Sequence, residues 1–250
     1  TGVELTGLTD GTHTVSVVGR DEAGNWQPVD SATAVSWTVD TTVPVITGLT
    51  DDTTPARSKA WSWSASDATG TVFRFAVNQN ESWAEPSGSY SALSTSSTDG
   101  VDGTWYLHVQ ARDDAGNESG VVTVSAVLDN TSPAAVISTA PESPTRLTGS
   151  TLSIGGDLVT HYKSTPDDGV YSDETGVTTG VELTGLTDGT HTVSVVGRDE
   201  AGNWQPVDSA SSVSWTVDTT VPVITGLADD TTPTRSKTWS WSASDATGTA

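Results

Sequence analysis

The chain has 250 residues and carries 32 Asp and Glu against 10 Lys and Arg, which gives a formal net charge of −22. Such a surface repels nucleic acid and anionic membranes and attracts cations, although solubility through self-repulsion is an alternative reason for the charge. Cysteine is absent, which excludes disulfide bonds and thiol-bound metals, and no apolar run approaches the roughly 20 residues that span a bilayer.

Short runs of alternating Val, Thr, Ser and Trp recur along the sequence and are bounded by Gly, Pro, Asp and Asn, whereas helical spacing is nearly absent. This pattern predicts an all-β chain. In chain order it first predicts strands at 45–49, 60–66, 72–78, 82–90, 91–96, 105–112 and 121–128. It then predicts strands at 135–139, 151–155, 159–164, 170–173, 181–186, 190–198 and 212–217.

The sequence is also a tandem repeat. Residues 1–72 recur at 179–250 with six differences, at an offset of 178. This period divides into two diverged halves, because DGTHTVSVVGRDEAGN matches DGTWYLHVQARDDAGN and DTTVP matches DNTSP. We therefore predict units of about 89 residues in two alternating types, A and B. The predicted limits are 1–44 (C-terminal half of a B-type domain), 45–133 (complete A-type), 134–222 (complete B-type) and 223–250 (N-terminal part of an A-type domain).

Seven short strands in each complete unit favour a β-sandwich of the immunoglobulin type, with a β-barrel as the alternative. The period of two places Trp61 and Trp63 on one face, where two indole rings would dominate a core. The DGTW and DGTH turns stand where immunoglobulin-like domains enter strand F. His13 and His191 follow this turn, but the equivalent A-type residue is Trp105, which cannot transfer a proton. We therefore expect structural histidines and no enzymatic activity.

The sequence DGTHTVSVVGRDEAGNW followed by SWTVDTTVP resembles the bacterial immunoglobulin-like repeats of large cell-surface and secreted adhesins. The A-type sequence DGTWYLHVQARDDAGNES followed by DNTSP is similar. The resemblance implies tandem immunoglobulin-like domains arranged as an extended rod that projects from a bacterial cell. It also implies an extracellular location and calcium at the joints between domains.

Acidic residues in three separated stretches lead to the same calcium hypothesis. In this type of sandwich, the linker lies beside the BC and FG loops of the next domain, and clustered carboxylates with loop carbonyls supply the oxygen ligands that calcium requires. The candidates at the first joint are Asp40, Asp67, Asp113 and Asp114, with Asp10 nearby. Those at the second are Asp129, Asp157, Asp199 and Glu200, with Asp99 and Asp102 from the preceding domain. Those at the third are Asp218, Asp245 and Asp188.

An alternative interpretation needs no metal, because Asp, Asn and Gly are also ordinary turn residues. No stretch matches the twelve-residue EF-hand loop.

Exposed aromatic residues keep two binding hypotheses open. Trp26 and Trp204 follow the AGN turns, and Trp83 and Tyr90 lie in the middle of the A-type unit. Such residues could bind a glycan or a protein, as in an accessory module of a secreted enzyme, or they could cover the neighbouring domain.

Near-identical repeats are also compatible with a self-assembling surface filament. The sequence favours a structural segment of an extracellular fibre or adhesin, whose partners are neighbouring repeats and other copies of the chain. A surface receptor or glycan stays unassigned.

Overall fold

The computed structural model describes residues 2–67, 70–82 and 88–245, which form two compact units, Thr1–Leu128 and Asp129–Ala250. Within the described residues, the regular elements are strands, apart from two short 3₁₀ turns at Val29–Ser31 and Val207–Ser209. No helix in this part of the chain is long and apolar enough to cross a membrane. The all-β prediction is confirmed. The repeat limits at 44/45, 133/134 and 222/223 stay predictions.

The described residues of the first unit form ten strands. They are β1 (Gly11–Val17), β2 (Thr33–Val39), β3 (Val45–Thr47), β4 (Asp52–Ala56), β5 (Lys59–Ser62), β6 (Ser64–Ser66), β7 (Thr71–Asn78), β8 (Thr95–Thr98), β9 (Gly103–Asp113) and β10 (Val122–Leu128). Strands β1 and β2 form an antiparallel pair on their own. The others form a β4-β10-β9-β7 sheet and the pairs β3-β6 and β5-β8. Strand β4 runs parallel to β10, whereas the other pairs are antiparallel.

The predicted sandwich forms because the alternating apolar residues of these strands meet in one core. Trp61 and Trp63 are each only 5% exposed and belong to the same cluster as Leu107 and Val109. The ring of Trp63 meets that of Phe73 edge to face, with centroids 6.1 Å apart. Buried aromatic rings of this size contribute much of the stability of a small domain. The prediction that both indoles belong to one core is therefore consistent with the structure.

The second unit has a similar arrangement, with one difference in its sheet. Its strands are β11 (Val136–Ile137), β12 (Ser150–Leu152), β13 (Ile154–Gly155), β14 (His161–Pro166), β15 (Thr175–Gly176), β16 (Val181–Leu183), β17 (Gly189–Arg198), β18 (Ser211–Val217), β19 (Val223–Thr225) and β20 (Ser242–Ser244). A β15-β14-β17-β18 sheet accompanies the pairs β11-β13 and β12-β16, and its fourth strand, β15, lies beside β14 and is antiparallel to it. Leu152, Tyr162, Val195 and Trp215 are buried in its core. Both units therefore contain an immunoglobulin-like β-sandwich.

Two predicted strands differ from the structure, and one observed strand was not predicted, each for an identifiable reason. Strand β4 was not predicted, because its residues do not alternate between apolar and polar and because it contains Pro55. Proline has no N–H to donate, so it is tolerated in a sheet only on an edge strand such as β4. The prediction at 170–173 is wrong. That segment follows a turn in which Asp167 and Asp168 have positive φ, and the strand is instead β15. The predicted 60–66 strand is divided at Trp63, whose N–H donates to the carbonyl of Ser94.

Other strand limits shift by a few residues. The segment predicted at 91–96 forms β8 at Thr95–Thr98, and the one predicted at 159–164 forms β14 at His161–Pro166. Most of the 82–90 prediction, including Trp83, lies outside the described residues.

The last described segment has nearly the same sequence as the A-type front half and pairs in the same way. Strands β19 and β20 have the register of β3 and β6, with Val223 opposite Ser244 as Val45 is opposite Ser66.

The packing of the first core predicts unequal effects of two substitutions in one unit. Trp63→Ala should lower the free energy of unfolding of the first unit by about 3 to 5 kcal/mol, because it empties a packed core site. Val101→Ala is the control and should change stability little, because its side chain is 70% exposed. Urea denaturation of both variants measures the difference. Equal losses would contradict the packing described above.

Candidate metal centre

The FG loop between β9 and β10 is held by one aspartate and one asparagine. The carboxylate of Asp113 accepts hydrogen bonds from the backbone N–H and the side-chain amide of Asn117, both at 2.8 Å. The N–H of Asp113 in turn donates to the carbonyl of Asn117, and Gly116 takes a positive φ of 98° in the turn. Asp199 with Asn203, and Asp21 with Asn25, make the same pair of side-chain hydrogen bonds. The AGN motif therefore stabilises the loop through these hydrogen bonds, and this structural role is sufficient to explain its recurrence.

The same asparagine also fixes the linker that precedes the sandwich. The Nδ2 of Asn117 donates to the carbonyl of Asp40 at 3.0 Å. In the second unit, the Nδ2 of Asn203 donates to the carbonyl of Asp129 at 2.9 Å. Both N–H groups of each amide are thus used, one within the loop and one on the linker. Sequence reasoning did not assign this role to the asparagines, although their recurrence in every AGN turn was visible.

A second set of contacts holds the linker from the preceding turn. The carboxylate of Asp10 accepts hydrogen bonds from the backbone and hydroxyl of Thr41 and from the hydroxyl of Thr42. These hydrogen bonds, that of the Thr42 hydroxyl first, lower the pKa of Asp10. Asp188 makes the same three contacts with Thr219 and Thr220, which likewise lower its pKa. The two acids proposed from sequence as nearby metal candidates therefore bind linker threonines.

Three of the predicted acids come together in the first unit. Carboxylate oxygens of Asp40, Asp67 and Asp113 lie within 4.8 Å of one another. Calcium binds oxygen at about 2.3 to 2.6 Å, so two oxygens on one ion can be at most about 5 Å apart. The carboxylate spacing therefore fits a calcium ion. We refer to these three residues as the acidic triad.

The triad differs from an ordinary exposed acidic surface because Asp113 is only 3% exposed. Burial by itself would raise the pKa of Asp113, but the hydrogen bonds from Asn117, Gly116 and Ala115 together lower it. Asp113 is therefore held as a carboxylate at neutral pH. The hydrogen bonds that orient it leave its charge directed towards Asp40 and Asp67, which is a suitable arrangement for a cation.

The other predicted site residues of the first unit lie apart from the triad. Asp114 is exposed, and its carboxylate accepts a hydrogen bond from the N–H of Gly70 at 3.2 Å. Asp99 and Asp102 are exposed as well.

The second unit does not assemble an equivalent triad among its described residues. By strand register, Gly156 follows β13 where Asp67 follows β6. A Cβ at Gly156 would lie 2.3 Å from the carbonyl oxygen of Ala134, so no side chain fits there. Asp157, one residue further, is exposed. The sequence treated Asp157 as the counterpart of Asp67, whereas the register places it one residue further along.

The remaining candidates of the second unit have separate surroundings. Asp199 is buried and bound to Asn203, whereas Glu200 is exposed. Asp129 and Asp218 each accept a hydrogen bond from the backbone N–H two residues ahead, that of Thr131 and Thr220 respectively. Asp245 is half-buried at the end of the described residues.

The histidines have structural surroundings. His108 is completely buried, and its Nε2 donates to the carbonyl of Asn80 while Nδ1 accepts from the hydroxyl of Thr123. Burial lowers its pKa, which keeps the ring neutral. His191 instead contacts the carboxylate of Asp167 at 2.8 Å and the carbonyl of Thr187 at 2.8 Å. Two acceptors favour its protonated form.

Each sandwich combines a four-stranded sheet, β4-β10-β9-β7 or β15-β14-β17-β18, with two short antiparallel pairs, and this fold is an immunoglobulin-like β-sandwich. No protein family and no curated protein matches the sequence. Solved structures do resemble the fold. The fibronectin(III)-like modules of Clostridium thermocellum CbhA are 17% identical, with a TM-score of 0.34, over 70% of this chain and 94% of theirs.

Two further structures resemble this chain. The FN1–FN3 domains of chicken CNTN1 are 8% identical, with a TM-score of 0.39, over 82% of this chain and 75% of theirs. The SGBP-B protein of a Bacteroides ovatus mixed-linkage glucan utilization locus, solved with a mixed-linkage heptasaccharide, is 15% identical with a TM-score of 0.27. That match covers 71% of this chain and 48% of SGBP-B.

The linker contact of the second unit can be tested by Asn203→Ala. The substitution removes one side-chain hydrogen bond to Asp199 and one to the carbonyl of Asp129, and it should cost about 2 kcal/mol of stability. The backbone N–H of residue 203 keeps its hydrogen bond to Asp199, so the loss should not reach that of a core deletion. Asn117→Ala is the parallel variant in the first unit, because Asn117 makes the same bonds with Asp113 and with the carbonyl of Asp40. Denaturation of both variants in urea tests this, and an unchanged stability in both would count against it.

The His191–Asp167 pair predicts a pH dependence. The hydrogen bond to Asp167, and then that to Thr187, raises the pKa of His191 above 6.5. The pair therefore stabilises the second unit fully below about pH 6.5, and this contribution is lost as the pH rises through the folded-state pKa. Asp167→Asn should reduce the difference in stability between about pH 5 and pH 8. Denaturant midpoints measured across this range check it, and an unchanged slope in the variant would refute the assignment.

Proposed function

We propose that this chain is a structural, non-enzymatic repeat segment of an extracellular bacterial fibre or adhesin, and that it acts as a spacer of tandem immunoglobulin-like domains. The observation that carries the proposal is the double attachment of the linker. The segment between β2 and β3 is bound to the preceding turn through Asp10 and to the following FG loop through Asn117. A catalytic or ligand-binding protein has no need to hold a linker so closely, whereas a spacer does.

The recurrence of these contacts supports the same conclusion. The threonines of the third linker bind Asp188 as those of the first bind Asp10. The second linker binds Asn203 as the first binds Asn117. A repeat copied with only six changes in 72 residues therefore copies the attachment of the linker to the preceding turn. Such copying increases the length of an array of domains, and a linker held at each joint increases the resistance of the array to bending.

Calcium is the cofactor that we propose for the first linker. Asp40, Asp67 and Asp113 would hold it through carboxylate oxygens, and the ion would neutralise part of their mutual repulsion. Asp40 belongs to the linker, whereas Asp67 and Asp113 belong to the BC and FG loops of the sandwich. A bound ion would therefore add a third attachment between the linker and the domain. The extended rod implied by the family resemblance fits this role.

The alternative of an accessory binding module has less support. The ring of Trp204 is covered by Lys163, whose Nζ lies 4.9 Å from the ring centroid. Trp204 is therefore engaged within its own domain, where it also pairs with Arg198. Trp83 lies outside the described residues. The filament alternative is compatible with the spacer, because a spacer can also associate with its copies.

The calcium proposal predicts binding with a dissociation constant between about 10⁻⁴ and 10⁻³ M, the range of extracellular calcium modules. Calcium should raise the melting temperature of the chain, and a chelator should reverse the change. Asp67→Asn should weaken binding at least about tenfold, because a neutral amide replaces one of three carboxylates. Isothermal titration calorimetry measures the affinity, and small-angle scattering measures the change in shape.

Asp157→Asn is the matched control, since Asp157 lies in the corresponding loop of the second unit but outside any described triad. Its calcium affinity should equal that of the natural chain. Melting and scattering profiles that a chelator leaves unchanged would exclude calcium from the linker. They would leave the hydrogen-bonded attachment, and with it the spacer, in place.

A further inference from the structure

Strand β4, near the start of the first sandwich, pairs in parallel with the last strand of that sandwich, β10. Asp52 of β4 lies opposite Ala126 of β10. The carboxylate of Asp51, one residue before β4, adds two hydrogen bonds to β10. Its Oδ1 accepts from the backbone N–H of Ser125 at 2.8 Å and from the hydroxyl of Ser125 at 2.9 Å. We call β4, Asp51 and β10 the terminal clamp of the first unit.

The second unit joins the same two parts of its sandwich through different residues. Thr145 pairs in parallel with Val217 of the last strand, β18. The N–H of Thr145 donates to the carbonyl of Thr216 at 2.9 Å, and the carbonyl of Thr145 accepts from the N–H of Asp218 at 2.8 Å. The hydroxyl of Ser143 accepts from the N–H of Thr216 at 3.0 Å, as the carboxylate in the first unit accepts from a backbone N–H of β10. We call Ser143, Thr145 and β18 the terminal clamp of the second unit.

We propose that each terminal clamp resists tension and keeps its sandwich folded when the chain is pulled from its ends. In the first unit, tension enters from the linker through β3 and leaves at Leu128, the end of β10. Because β4 and β10 are parallel, the end of β4 that receives the tension and the end of β10 that transmits it are at opposite ends of the pair. The two strands are pulled past each other along their length, so their hydrogen bonds carry the force together and do not break one at a time.

The position of Asp51 makes its hydrogen bonds important for this resistance. Strand β3 pairs with β6 through three residues only, and once this short pair separates, the tension reaches the chain at Asp51. A hydrogen bond from a backbone N–H to a carboxylate is charge-assisted and therefore stronger than a neutral one. Asp52, the first residue of β4, also forms an ion pair with Lys59 of β5. The start of β4 is therefore held by two neighbouring strands, β10 and β5.

The presence of a clamp in both types of unit agrees with this function. Domains joined end to end all carry the same tension, so a single weak domain would lengthen the whole array. The ion pair of Asp52 and Lys59 also recurs in the last segment of the chain as that of Asp230 and Lys237. The inference rests on the proposed spacer for the origin of the tension. The geometry of each clamp lies within one sandwich and does not depend on that proposal.

Single-molecule stretching of the whole chain at constant force tests the proposal, with handles on both termini and a chelator in every sample. Each sandwich should unfold in a separate step that releases roughly 280 Å of extended chain. Asp51→Ala removes both hydrogen bonds to Ser125 and should shorten the lifetime of one step at least about tenfold. Ser143→Ala removes one neutral hydrogen bond and should shorten the lifetime of the other step about threefold to tenfold.

Ser119→Ala is the matched control in the first unit. It also removes two side-chain hydrogen bonds, one from the N–H of Ala111 and one to the carbonyl of Gly120. These hydrogen bonds lie at the FG loop, which stays intact while β4 and β10 separate. Both Asp51→Ala and Ser119→Ala should lower the stability measured in urea, whereas only Asp51→Ala should shorten the lifetime under force.

The direction of pulling provides a second control. The chain has no cysteine, so two introduced cysteines define the points of attachment. Val101→Cys and Ser132→Cys apply the force at the start of β9 and the end of β10, which are adjacent because Gly103 pairs with Leu128. This direction separates β9 from β10 one hydrogen bond after another. The first unit should therefore unfold faster than it does at the same force applied through the termini.

Three results would overturn the proposal. They are an unchanged lifetime in Asp51→Ala, an equal shortening by Asp51→Ala and Ser119→Ala, and equal lifetimes in the two directions of pulling. Each of them concerns one sandwich and leaves the attachment of the linker, and with it the spacer, in place. An enzymatic activity of the chain would instead refute the spacer and leave the clamps unaffected. Circular dichroism of the unstretched variants confirms that they are folded, and the direction of pulling tests the clamp without altering any of its residues.

Discussion

The side-chain amide of Asn117 is the contact on which the arrangement of the first unit depends. One N–H orients the carboxylate of Asp113, and the other binds the carbonyl of Asp40, 77 residues earlier in the chain. The amide therefore determines the shape of the FG loop, the position of the linker and the direction of a buried charge at once. Aspartate at this position would offer no N–H and would add repulsion. The chemistry requires an amide, which explains why the AGN turn recurs with its asparagine in each unit.

The linker contacts explain why the acidic residues near each linker have different roles. Asp10 and Asp188 are occupied by threonine donors, so their charge is compensated by hydrogen bonds. Asp113 also accepts hydrogen bonds but faces two further carboxylates. A carboxylate surrounded by donors needs no ion, whereas three adjacent carboxylates repel one another. The same residue type at neighbouring positions thus serves as a hydrogen-bond acceptor in one case and as a potential ligand in the other.

Alternation of apolar residues made most strands predictable, because strands such as β9 and β18 have one buried face. The core tryptophans followed from the same period. Strand β4 was not predictable, because an edge strand does not require alternating apolar residues and does not need every backbone N–H for pairing. The acidic triad was predictable only in part. The sequence placed Asp40, Asp67 and Asp113 among fourteen acidic candidates, but which three come together depends on loop conformations that composition does not encode. The contacts of Asn117 and Asn203 with the linkers were not predicted. An asparagine in a turn is already explained by its hydrogen bonds within that turn, and nothing in the sequence indicates the partner of its second N–H.

The comparison of Asp67 with Gly156 shows how two related sandwiches come to differ chemically. The backbone of Ala134 approaches Gly156 so closely that any side chain would collide with it, whereas the corresponding loop of the first unit has room for a carboxylate. Substitution of Gly156 by aspartate would therefore not transfer the triad, because the loop would first have to move away from the linker. The hydrogen bond from Asn203 to the linker is retained in the second unit without the triad. The attachment of the linker is consequently independent of metal, and an ion at the first linker would reinforce a contact that hydrogen bonds have already formed.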